Sequence, residues 1–172
     1  LHGVGERGVI TNNERQFLNG AAQTHQRQIN NGEFDGFAVF PQNIDGWFYN
    51  VTIIAELVDI MVNQVRIDPF RVTVYGLSAG GQATWNIINS HPRHFASALP
   101  MSANNGNTQS QFRFSPVWQF QGGLDNNPKL ADALSLEIAM KAVNANHKLT
   151  VYRDLGHGTW GRAYQEPDFL PF

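Results

Sequence analysis

Cysteine is absent from the 172-residue chain, which excludes disulfides and thiolate-bound metal. Charge is sparse as well. Only 15% of residues are charged, 12 basic against 14 acidic, for a net charge of −2. Neither a basic stripe nor an acidic tail is present, so nothing in the charge pattern calls for nucleic acid or an anionic membrane surface. The apolar runs are too short for a transmembrane span, and no signal peptide is visible. Repeats, low-complexity tracts and long linkers are missing. No His/Asp/Glu grouping has metal-ligand spacing, so neither a metal nor a cofactor is expected.

Hydrophobic residues make up 42% of the chain, enough for a single domain over residues 1–172 with a sizeable core. The abundance of Asn, Gln, Gly and aromatic residues suggests a secreted or periplasmic protein. Leu1 is not a start methionine, and Leu1-His2-Gly3 reads as the end of a strand. Further strands are therefore expected upstream, in a longer parent chain with room for additional domains.

Short apolar runs alternate with helical patterns. Phe37-Ala-Val-Phe40 reads as a buried strand ended by Pro41. Val51 to Val65 carries Ile54, Leu57, Val58, Met61, Val62 and Val65 at helical spacing. Further strands are expected over Val72–Leu77, within Phe95–Met101, over Val117–Gln121 and over Leu149–Arg153. Helices are expected from Gln82 to Ser90, from Pro128 to about Asn146, and briefly from Thr159 to Gln165. This alternation implies an α/β fold, a mostly parallel sheet with helices on both faces. In such sheets the functional residues follow strands, outside their carboxyl ends.

Gly76-Leu-Ser-Ala-Gly80 fits G-x-S-x-G and stands between a strand and a helix. That context turns a short pattern into a nucleophile elbow, with Ser78 strained above the sheet edge at a helix N-terminus. A serine hydroxyl needs a general base, and the base needs an orienting carboxylate. Of the six histidines, only His157 follows a strand on a glycine-flanked loop, Leu155-Gly-His-Gly158. Asp125, after the strand ending at Gln121, is the carboxylate candidate, with Asp154 as substitute. Acyl transfer also needs two N–H donors for an oxyanion. Ala79 is one, and Val4 (or Gly5) in the loop Leu1-His-Gly-Val-Gly5 is the other, with His2 in a structural role beneath that loop.

On the substrate side, Gln42-Asn-Ile-Asp-Gly-Trp-Phe-Tyr49 follows a strand and carries three adjacent aromatics. Trp47, Trp160 and Gln82 are candidates to contact an acyl, aryl or sugar group, and Asn104 and Asn105 to reach the site. Trp85 reads as core.

Together these residues resemble the α/β-hydrolase superfamily, and within it the phospholipase/carboxylesterase and polyhydroxybutyrate-depolymerase-like esterases. Leu1-His-Gly-Val-Gly-Glu-Arg-Gly8 is similar to that family's oxyanion-loop motif, and Gly76-Leu-Ser-Ala-Gly-Gly81, with Ile67-Asp-Pro-Phe-Arg-Val72 before it, to its elbow. Gly122-Gly-Leu-Asp125 and Gly156-His-Gly-Thr-Trp160 are similar to its acid and histidine loops. The resemblance implies a three-layer α/β-hydrolase fold with N-terminal strands missing here. It also implies a serine esterase acting through Ser78, His157 and Asp125 on a small-molecule or polysaccharide-linked ester. Gln121-Gly122 departs from the His-Gly that usually opens the acid loop. A serine peptidase of the prolyl-oligopeptidase type shares the same triad, and a non-catalytic binding module of the same fold is the remaining alternative.

Overall fold

The computed structural model describes the chain apart from residues 10, 12, 45–48, 105–111, 113 and 171. Among these residues four strands form one sheet in sequence order: β1 (Thr73–Leu77), β2 (Ser97–Met101), β3 (Val117–Gly122) and β4 (His147–Tyr152). Every neighbouring pair is parallel. Among the described residues the α-helices are α1 (Ala21–Asn30), α2 (Val51–Val65), α3 (Ala79–Ser90), α4 (Leu130–Ala142) and α5 (Trp160–Ala163).

Burial follows from the pleat. Successive strand residues point to opposite faces, and both faces are covered. Val74, Ala98 and Val117 pack on one side with Trp85, Ile87 and Ile88 of α3 and Leu136 and Met140 of α4. Leu77, Leu99, Met101, Trp118 and Phe120 pack on the other with Ala21 of α1 and Ala163 of α5. The central strands β2 and β3 are buried along their whole length, β2 as a mostly apolar run and β3 with Gln119 and Gln121 buried between apolar residues. Trp85 is fully buried and donates from Nε1 to the Ala103 carbonyl at 3.3 Å, so it is core as expected.

Helix boundaries have local causes. Asn50 caps α2 by accepting the Thr52 N–H at 3.2 Å, and Arg66 ends it in the left-handed region, φ 62°. The α3 helix starts earlier than its apolar pattern, at Ala79 directly after the elbow. The α4 helix starts at Leu130 rather than at Pro128, with the Asp132 carboxylate accepting the Lys129 N–H at 3.0 Å. The last strand begins at His147, two residues before the expected Leu149.

Residues 37–40 do not form a strand. Nor are they buried as expected: Phe37 and Val39 are exposed, and Ala38 and Phe40 are half-buried. What is missing is a ladder partner. The outer edge of β1 pairs instead with Leu1, whose N–H donates to the Tyr75 carbonyl at 2.6 Å and whose carbonyl accepts from Leu77 N–H at 3.1 Å. Those two bonds follow the pattern of a parallel bridge. A cavity of about 560 Å³ runs beside this edge, walled by residues 34–39 and the Ile54, Leu57, Val58, Met61 and Val62 face of α2.

Among the described residues, no helix is long and apolar enough to cross a membrane.

Candidate active site

The carboxyl ends of β1, β3 and β4 converge on one cluster. Ser78 follows β1 with φ 53° and ψ −117°, a conformation costly for a residue with a side chain. Its N–H continues the ladder to the Met101 carbonyl at 2.9 Å, and its own carbonyl accepts from Gln82 N–H at 2.9 Å. The chain is thus held on both sides of the strained residue. The flanking glycines are needed for room. A Cβ on Gly76 would sit 2.3 Å from the Gly80 carbonyl oxygen, and one on Gly80 would sit 2.2 Å from the Leu1 carbonyl oxygen. The elbow and the N-terminal loop therefore touch backbone to backbone.

His157, on the loop after β4, bridges the other two groups. Its Nε2 lies 2.9 Å from Ser78 Oγ, and its Nδ1 lies 2.8 Å from Asp125 Oδ2. A carboxylate only accepts, so Nδ1 carries the proton and Nε2 presents its lone pair to the serine hydroxyl. The Asp125 side chain is 4% exposed, whereas that of His157 is 41% exposed. Asp125 Oδ1 also accepts the Asn127 N–H at 2.9 Å, which fixes the carboxylate plane. The cap of α4 is Lys129, which leaves both Asp125 oxygens to these contacts.

Gln121, which stands where the resembled family has histidine, is fully buried behind this carboxylate. Its Nε2 donates to the Pro128 carbonyl at 2.9 Å and stands 3.5 Å from Asp125 Oδ2. The acid and histidine loops also touch each other directly. Leu124 N–H donates to the Leu155 carbonyl at 2.9 Å, and a Cβ on Gly122 would fall 1.9 Å from the Gly156 oxygen.

The substitute acid, Asp154, is elsewhere. It forms a two-pronged pair with Arg162 at 2.8 and 2.7 Å on the surface, and the guanidinium holds its carboxyl down at about 2.

Ala79 is the first residue of α3, so its N–H has no acceptor within the helix. Val4 opens a short 3-10 turn, Val4–Glu6, directly after Gly3. The loop lies against the elbow: a Cβ on Gly3 would be 3.5 Å from Ser78 Cβ. His2 lies under this loop, 3% exposed. Its Nδ1–H donates to the Gly3 carbonyl at 2.6 Å, and its Nε2 accepts from Asn43 N–H at 2.9 Å. Burial pushes its pKa down, and both ring nitrogens are occupied. Tyr49 completes the support, its hydroxyl accepting from His2 N–H at 2.8 Å and donating to the His2 carbonyl at 3.1 Å.

Gln82 lies half-buried in the first turn of α3, bonded to Asn86 at 3.2 Å. Trp160 is half-buried with its ring 6.0 Å from that of His157, edge to face. Asn104 carries a buried side-chain oxygen with no partner among the described residues. Trp47 and Asn105 lie outside the described residues. The cavity beside β1 is walled by none of Ser78, Asp125 or His157. The contacts that join Ser78, His157 and Asp125 therefore lie outside that cavity.

Sequence reasoning missed Ser102 and Thr159. Both are buried, and both bond to the backbone of His157 or to each other. Their only signal was position, directly after β2 and two residues after His157.

The model of the prolyl oligopeptidase family matches residues 51–113, a span that includes α2, β1 and the elbow but neither Asp125 nor His157. No curated protein matches the chain in sequence. Among solved structures, a ferulic acid esterase superposes with a TM-score of 0.68 at 18% identity, over 98% of this chain and 82% of its own. Arabidopsis thaliana SOBER1 gives 0.60 at 15% identity, over 96% of each chain. A thermostable esterase gives 0.66 at 21% identity, over 70% of this chain and 35% of its own. At these identities the likeness is one of fold. The fold itself, with the strand–elbow–helix at its centre, is thus the α/β-hydrolase fold.

Proposed function

We propose that the protein is a serine carboxylic-ester hydrolase. The observation that carries this reading is the continuous contact from Asp125 Oδ2 to His157 Nδ1 at 2.8 Å and from His157 Nε2 to Ser78 Oγ at 2.9 Å. Ser78 Oγ attacks the ester carbonyl carbon as its proton passes to His157 Nε2. Asp125 holds the imidazole in the required tautomer and stabilises the imidazolium. The N–H groups of Val4 and Ala79 receive the oxyanion, each such donor contributing about 10²–10³ in rate. Collapse of the tetrahedral intermediate expels the alkoxide, which takes the proton from His157. The same nitrogen then activates water to free the acid and restore Ser78.

The half-exposed histidine and Trp160 beside it suit a flat acyl or aryl group entering from solvent. The likeness to a ferulic acid esterase points the same way, toward aryl esters. Hydrolysis of short-chain p-nitrophenyl esters by wild type and by Ser78→Ala tests the reading. Loss of turnover in the variant is expected, and equal rates would overturn it.

A second reading is a serine peptidase, favoured by the prolyl oligopeptidase match over residues 51–113. Amide hydrolysis uses the same three side chains, so substrate choice decides. Faster cleavage of peptide p-nitroanilides than of p-nitrophenyl esters would select it. If a fluorophosphonate probe left Ser78 unlabelled, the fold would be serving as a non-catalytic binding module.

A further inference from the structure

Ser102 is the residue that follows β2, and its backbone leaves the strand at φ 49°. Its N–H stays on the sheet, donating to the Phe120 carbonyl at 2.9 Å. The positive φ turns its side chain away from the ladder and toward the loop after β4. There Ser102 Oγ donates to the carbonyl of His157 and lies 2.7 Å from Thr159 Oγ1. The proton positions follow from counting. Ser102 has one hydroxyl proton, and the His157 carbonyl takes it, because a carbonyl only accepts. The contact between the hydroxyls therefore uses the Thr159 proton, donated to Ser102. Thr159 N–H adds a second bond to the same His157 carbonyl at 3.0 Å. Ser102 is 1% exposed and Thr159 is 0% exposed, so water does not compete for these bonds.

We propose that Ser102 and Thr159 are a positioning pair that holds His157 in line between Asp125 and Ser78. The proposal rests on the hydrolase reading above. Neither residue touches the reacting atoms; both act through the His157 backbone. The loop needs such an anchor. The side chain of His157 is 41% exposed, and it is flanked by Gly156 and Gly158. At both glycines the side-chain direction is open: a Cβ would meet nothing nearer than 4.0 Å at Gly156 and 3.9 Å at Gly158. With no flanking side chain as a wedge, the doubly bonded carbonyl fixes the origin from which the ring projects. Displacing a catalytic group by about 1 Å costs on the order of 10²-fold in rate.

The test uses Ser102→Ala, Thr159→Val, Thr159→Ser and the Ser102→Ala/Thr159→Val double variant. Short-chain p-nitrophenyl ester kinetics are read together with the proton NMR signal of the His157 Nδ1–H, assigned by its loss in His157→Gln. Expected are a fall in kcat of about 10-fold or more with KM within about twofold for each of the first two variants. Thr159→Ser, which keeps the hydroxyl, should stay within about twofold of wild type, and the double variant should be no slower than the worse single one. The Nδ1–H signal should broaden in Ser102→Ala and Thr159→Val and stay sharp in Thr159→Ser. A folded Ser102→Ala that keeps both kcat and the sharp signal overturns the proposal, even if its melting temperature falls. If Ser102→Ala does not fold, the near-isosteric Thr159→Val carries the same two readouts. A wild type with no ester turnover and no fluorophosphonate labelling would sink the hydrolase reading instead, and the NMR arm would still decide the positioning claim.

Discussion

The carboxylate of Asp125 reaches His157 with one oxygen and the backbone of its own loop with the other. Oδ2 stands 2.8 Å from His157 Nδ1, and Oδ1 accepts the Asn127 N–H at 2.9 Å. Its orientation is therefore fixed independently of the histidine. In Asp125→Asn the geometry should survive, but an amide facing Nδ1 favours the opposite tautomer, which leaves Nε2 protonated against Ser78. A loss in kcat of about 10³–10⁴-fold with an unchanged melting temperature is expected from ester kinetics and calorimetry. Asp154→Asn breaks only the surface pair with Arg162 and should leave kcat within about twofold of wild type. The reverse ranking of the two variants would move the acid to Asp154.

Gly80 probes the contact between elbow and N-terminal loop. An alanine Cβ there would lie 2.2 Å from the Leu1 oxygen and 2.6 Å from the His2 oxygen, both backbone atoms that cannot swing aside. Either the loop carrying Val4 retreats from Ser78 or the fold loosens. Gly80→Ala should cost about 1–3 kcal/mol of stability in denaturant unfolding. In the fraction that remains folded, ester turnover should fall by about 10²-fold. Wild-type turnover in Gly80→Ala would show that the loop's approach to the elbow is not needed.

The parts legible in the sequence were those whose cause is local. The elbow is a steric pattern within five residues, and β2 announces itself as a mostly apolar run because both sheet faces are covered. His157 and Asp125 could be singled out because parallel strands deliver their following loops to one edge. Residues 37–40 are an apolar run that reads as a buried strand, but ladder formation depends on a distant partner; Leu1 holds that edge, and Phe37 and Val39 are left exposed. Ser102 and Thr159 carried no pattern at all. Their meaning appears only when the turn after β2 meets the loop after β4 across the intervening strand, a 57-residue separation that no local spacing encodes.

His147 opens β4 on the side of the sheet away from Ser78, close to the Trp85 ring. Its Nε2–H donates to Gln119 Oε1 at 3.2 Å, and burial pushes its pKa down to about 4. The sign follows. An unfolded histidine takes up its proton near pH 6.5, whereas the folded one resists until about pH 4. Between those values the unfolded state binds more protons, so stability is full above about pH 6.5 and falls as the pH drops toward 4. On the order of 1–3 kcal/mol should be lost across that window. Denaturant unfolding at a series of pH values should show this slope, and His147→Gln should flatten it. Some slope should remain from His2 and His25, whose pKa values burial also lowers. An unchanged slope in His147→Gln would remove His147 as its source.

The contact between Gly122 and the Gly156 carbonyl, with Leu124 N–H bonded to Leu155, makes two loops distant in sequence into a single opening unit. Neither can lift off without the other, because the tie is backbone against backbone and no side chain can rotate to release it. Local unfolding at this corner therefore removes Asp125 and His157 from Ser78 in one event and leaves the elbow standing on its strand. In hydrogen exchange, the Leu124 amide should open with those of the histidine loop. Heat inactivation should then precede loss of the sheet, as a reversible detachment of acid and base together.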